Sequence, residues 1–136
     1  MRRIVFAAVL AAFSVLLPAV PASASPIPGP PYVSHAEWAK WGDLSSLRVY
    51  PTAAGRAAST QPGSQPAADE AWTEVLALAP DAAIPGMREQ FDCHWWVAEL
   101  AQPGKTSWNL EPWRPAVSTG EMAAAQCNPG GTEEPF

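Results

Sequence analysis

The sequence predicts an α+β domain: a small antiparallel sheet with two short helices, held by one disulfide. Three observations carry that prediction. Residues 33–50 contain two runs of alternating side chains either side of a Gly42-Asp43 turn. Residues 69–79 place apolar side chains at helical spacing. The chain has only two cysteines, Cys93 and Cys127.

The N-terminus sets the compartment. Arg2 and Arg3 precede an uncharged apolar run from Ile4 to Leu17, which Pro18 breaks ahead of Ala22-Ser23-Ala24. That is the pattern of a secretory signal peptide, residues 1–24, cleaved after Ala24. The run falls short of the roughly 20 apolar residues a membrane span needs, so no stable membrane insertion is expected. The remaining 112 residues carry six Lys and Arg against thirteen Asp and Glu, a charge of −7. An acidic surface without a basic cluster repels phosphate backbones, which argues against nucleic-acid partners.

A domain of this size buries only about 60–65% of its unfolded surface, so a covalent staple is expected. In an exported chain two cysteines most economically pair with each other, here Cys93–Cys127. Closing that loop of about 35 residues contributes roughly 3–4 kcal/mol in the chain-entropy description. Two Cys and two His at no finger-like spacing do not make a metal site, and no cofactor motif is present.

In chain order, residues 25–31 hold four prolines and a glycine and read as a tether. Residues 32–128 form a single domain. Its first hairpin puts Trp38, Ala36 and Ser34 on one face of the leading strand, with Trp41, Ala39, Glu37, His35 and Val33 opposite. In the second strand Leu47 and Val49 face one side, Arg48 and Tyr50 the other. Residues 52–68 are Ala, Gly, Ser, Thr, Gln and Pro with one charge, and composition predicts a mobile loop from which only Arg56 could dock back. Asp69 then caps a helix over 69–79, with Trp72, Val75, Leu76 and Ala79 on its apolar stripe and Pro80 ending it.

Residues 87–97 satisfy two periods. As a strand, Met87, Phe91, Cys93, Trp95 and Val97 share a face; as a helix, Phe91, Trp95 and Ala98 share a stripe. The longer alternation favours the strand, which places the sheet at 33–50 and 87–110 after a turn at 102–105. Ser118 and Glu121 read as a capping box opening a helix over 119–126. Residues 129–136 make an acidic tail that frays.

The strings Gln90-Phe91-Asp92-Cys93-His94, Trp108-Asn109-Leu110-Glu111-Pro112-Trp113-Arg114-Pro115 and Cys127-Asn128-Pro129 resemble a family of secreted actinobacterial proteins catalogued as domain of unknown function 2599. Leu47 to Thr52 and the Ala71-Trp72 helix are similar to it as well, so the resemblance spans about residues 38–128. It implies a secreted one-disulfide domain and no assigned activity.

Seven tryptophans stand in the mature chain, and two lie in the 108–115 stretch with a carboxylate, a guanidinium and an Asn. Exposed indoles beside such groups hold sugars or peptides, because ring faces stack and polar groups orient. On that reading the ligand-binding residues are Trp96, Trp108, Asn109, Glu111, Trp113 and Arg114. The function is then a secreted, non-enzymatic binding domain whose partner is a cell-wall glycan or an extracellular protein. The competing reading of the stretch is a folding clamp, with Arg114 stacked on Trp108 or Trp113 and bonded to Glu111. The alternative function is a small secreted hydrolase or toxin using His94 with Glu111 or Asp92. No Ser or Thr occupies a nucleophile elbow, and a disulfide-bonded cysteine is no nucleophile.

Overall fold

A computed structural model describes residues 25–131; the expected signal peptide and the end of the acidic tail lie outside them. Three antiparallel strands form one sheet, β1 (Val33–Trp41), β2 (Leu44–Pro51) and β3 (Trp108–Leu110), in the order β1-β2-β3. Four α-helices accompany it: α1 (Ala53–Ser59), α2 (Gln65–Leu78), α3 (Met87–Ala101) and α4 (Thr119–Ala124). The α+β architecture is as the sequence predicts, and Cys93 and Cys127 are joined at a Cα separation of 5.5 Å.

The register sorts the sheet into two faces. Trp38 stands opposite Leu47, Leu47 opposite Leu110, and Val49 opposite Trp108. Leu47, Val49, Trp108 and Leu110 are fully buried against α2 and α3. There Trp108 meets Trp95 and Phe91 edge-on at 6.1 and 6.0 Å, and Phe91 lies 5.5 Å from Trp72. Such ring pairs contribute about 0.5–1.5 kcal/mol each beyond their burial. The opposite face carries His35, Glu37, Arg48 and Tyr50.

Three expectations are corrected. Residues 87–97 are the body of α3, not a strand, and the sheet gains only β3 from the region 87–110. The helical period wins because Met87, Phe91, Trp95 and Ala98 all bury on one stripe. Arg88 Nε reaches Asp92 at 2.8 Å one turn on, an i,i+4 pair open only to a helix. Second, residues 52–68, read as a loop, hold α1 and the first turn of α2. Thr52 Oγ1 caps α1 by accepting from Gly55 N at 2.9 Å. Arg56 does dock, onto Glu99 and the carbonyls of Lys105 and Thr106. Third, α2 is entered from Ser64 with Pro66 in its first turn. Asp69 lies inside the helix, bonded to Gln65 and Arg88.

Composition misled at α1 because small residues there bury by proximity rather than by bulk. A Cβ on Gly55 would fall 2.2 Å from the Tyr32 carbonyl oxygen. Gly55→Ala is therefore expected to cost about 1–3 kcal/mol, as overpacking against backbone does. Urea denaturation of the single variant checks this, and an unchanged midpoint would show that α1 can step away from Tyr32.

The capping box of α4 is formed as the sequence predicts. Ser118 Oγ accepts from Glu121 N, and the Glu121 carboxylate accepts from Ser118 N at 3.0 Å. Ser118 Oγ also donates to that carboxylate at 2.6 Å, and this bond, with the one from Ser118 N, holds the Glu121 carboxyl below its ordinary pKa.

Candidate functional site

The stretch 108–115 closes on itself. Trp108 is a core residue, and Asn109, on the other face opposite Arg48, accepts from Ser107 Oγ at 2.7 Å. Glu111 is fully buried: Ser46 Oγ donates to its Oε1 at 3.0 Å and Arg114 Nε to its Oε2 at 2.7 Å. The Arg114 guanidinium lies 4.4 Å from the Trp113 ring centroid and donates through Nη1 to the carbonyls of Pro129 and Gly131 at 3.1 and 2.9 Å. Gly130 packs so tightly there that a Cβ would meet Pro115 Cδ at 2.8 Å, and its φ of +87° suits only glycine.

Gln90 supplies a part that no local pattern announces. Its Nε2 donates to the Glu111 carbonyl and its Oε1 accepts from Glu111 N, both at 2.9 Å. The carboxamide thus occupies the place of a neighbouring strand just past β3. One turn on, His94 Nδ1–H donates to the Gln90 carbonyl at 2.8 Å, and the ring is 5% exposed.

These contacts separate the residues proposed from sequence. Trp108, Asn109, Glu111 and Arg114 are buried, so a ligand arriving from solvent does not reach them in this conformation, and Trp113 is half-buried beneath Arg114. Arg114 bonding Glu111 and stacking on Trp113 is the geometry of the clamp. The hydrolase constellation does not assemble. The Glu111 carboxylate is held between Ser46 and Arg114, His94 is turned to Gln90, and Asp92 pairs with Arg88.

Trp96 differs. It is 36% exposed and borders a groove of about 300 Å³ between α3 and α4. Glu89 and Asp92 from α3, Gln65 from α2 and Thr119 from α4 bring polar groups to its walls, with Met122 and the half-buried Cys93 among its other lining residues. The disulfide ties α3, one wall of this groove, to the segment after α4. Among the described residues no three His, Cys, Asp or Glu gather as metal ligands. No described helix is long and apolar enough to cross a membrane.

The open sheet face holds a polar cluster that the sequence reading passed over. His35 stacks on Tyr50 at 4.0 Å with an 11° interplanar angle, and Ser34 Oγ lies 2.9 Å from His35 Nδ1. Tyr50 Oη donates to Glu37 Oε1 at 2.7 Å, and this bond to a carboxylate raises the phenol above its ordinary pKa. Cross-strand alternation at residues 35, 37, 48 and 50 was the available signal.

A small α+β domain with one disulfide, a buried Glu–Arg clamp and a shallow aromatic groove is the class this chain defines. Residues 33–130 match the family described as "Protein of unknown function (DUF2599)", and the chain belongs to it. It is 60% identical over 111 residues to uncharacterized proteins of Mycobacterium tuberculosis and Mycobacterium bovis, covering 82% of this chain and 74% of each relative. An uncharacterized protein of Mycobacterium leprae is 48% identical over 109 residues, covering 80% of this chain and 88% of the relative. No solved structure matches.

Proposed function

We propose that this chain is a secreted, non-enzymatic binding domain for a cell-envelope glycan. The ligand engages the groove around Trp96, not the 108–115 stretch, which serves as the clamp that fixes the domain behind it. The observation that carries the reading is the 36% exposed indole of Trp96 in a groove whose other walls offer carboxylate, amide and hydroxyl groups. An indole face stacks on the C–H face of a sugar ring while such groups accept from its hydroxyls. A volume of about 300 Å³ is at the small end for ligand sites, which suits one or two sugar units rather than a folded protein. The acidic walls favour neutral or amino-bearing sugars over phosphorylated ones. Secretion itself rests on the N-terminal pattern and the disulfide.

The test is co-sedimentation of the mature domain with a purified, insoluble cell-wall fraction. Trp96→Ala is expected to weaken binding about tenfold, the scale of one lost aromatic contact. Trp41→Ala, a substitution of a more exposed indole outside the groove, should leave binding unchanged. Equal sedimentation of all three proteins would remove the groove from consideration.

A further inference from the structure

The two edges of the sheet are finished differently. Beyond β3 the Gln90 carboxamide satisfies the backbone of Glu111. At the start of β1 the Glu74 carboxylate accepts from the backbone N–H groups of Tyr32 and Val33 at 2.8 and 2.7 Å. Along the rest of β1, β2 is the only strand that pairs with it among the described residues. A nine-residue edge strand presents a row of backbone donors and acceptors that another strand can pair with.

The side chains of β1 make it a complement to itself. An antiparallel pair related by a two-fold axis through the sheet sets same-face residues opposite each other. Three registers place the axis at residue 37, 38 or 39. With Glu37 opposite Glu37 of the second copy, two like charges oppose each other. With Ala39 opposite Ala39, Trp38 faces Lys40 and Glu37 faces Trp41. With Trp38 opposite Trp38, every large side chain finds a fitting neighbour: Glu37 faces Ala39, Lys40 faces Ala36, and Trp41 faces His35. Trp41 is 57% exposed at the hairpin end, and His35 already stacks on Tyr50. This register therefore extends each His35–Tyr50 stack by the second copy's indole.

We infer that β1 pairs antiparallel with β1 of a second copy, Trp38 opposite Trp38, joining two three-stranded sheets into one of six strands. Edge pairing of this length buries less than the roughly 800 Å² per partner of a standard interface, so the dimer is reversible and concentration-dependent. The Trp96 groove lies on the helices and takes no part.

Sedimentation velocity of the mature domain across the micromolar to millimolar range tests the pairing, and charge substitution at Ala39 tests the register. Ala39→Lys sets a cation opposite Glu37 twice and should tighten the dimer about three- to tenfold, while Ala39→Glu should loosen it by a similar factor. Trp41→Lys, at a position 57% exposed, should abolish the dimer. Near-UV circular dichroism confirms that each variant is folded. A wild-type chain that stays monomeric throughout overturns the inference. So does a dimer that survives Trp41→Lys, or one that responds alike to Ala39→Lys and Ala39→Glu.

Discussion

Arg114→Met is expected to destabilise the domain by about 3–5 kcal/mol, because it leaves the fully buried Glu111 carboxylate without its cation. Ser46 Oγ alone cannot replace the desolvated guanidinium, and the carbonyls of Pro129 and Gly131 lose their donor in the same step. Glu111→Leu should cost a comparable amount by stranding Arg114. The double variant Glu111→Leu/Arg114→Met should be closer to wild type than either single change, since a buried ion pair roughly breaks even against apolar replacements. Denaturant unfolding of the four proteins measures the coupling. If the single costs simply added, the pair would be acting as two independent contacts rather than as a clamp. With the double variant near wild type, the clamp holds residues 108–115 in one conformation more than it adds net stability.

Replacing Cys93 and Cys127 together with Ala is the second large effect, about 3–4 kcal/mol from the unfolded chain's regained freedom. In a domain whose total stability is about 5–15 kcal/mol, that loss is a sizeable fraction. More than loop entropy is at stake. Gln126 and Cys127 hold φ values of +51° and +67°, the left-handed region that non-glycine residues enter at a cost. The Cys127 N–H bond to the Met122 carbonyl at 3.0 Å and the link to α3 keep them there. Without the link, residues 126–131 are free to unwind and withdraw the two carbonyls from Arg114. The disulfide and clamp substitutions should consequently be less than additive. Full additivity in equilibrium unfolding would mean that the segment stays in place without its tether.

What was legible in the sequence was what is local. The Gly42-Asp43 hairpin, the inward Leu47 and Val49, and the Ser118–Glu121 box are each decided by residues within a few positions of one another. So is the Arg114 stack on Trp113. α3 was misread because the alternation 87, 91, 93, 95, 97 is longer than the helical stripe 91, 95, 98 that competes with it over the same stretch. The arbiter, the core into which Met87, Phe91, Trp95 and Ala98 bury, is built by residues elsewhere in the chain. α1 was missed because the close approach of Gly55 to Tyr32 leaves no trace in hydrophobicity. The fold divides the proposed site residues, with Trp96 at a groove and the 108–115 group mostly buried, for a related cause. Sequence showed which side chains cluster at 108–115 but not that Ser46 and Gln90, 65 and 21 positions away from Glu111, would arrive to bury them.

The aromatic cluster gives the domain its own optical probe. Trp95 of α3 and Trp108 of β3 lie edge-on at 81°, in contact with each other and with Phe91. Fixed, asymmetric ring packing generates near-ultraviolet circular dichroism, whereas a compact state with fluid packing keeps its helices and loses that signal. The chain can therefore report, without a label, whether a variant has merely loosened its interior or come apart, because one indole sits on each side of the junction between sheet and helix.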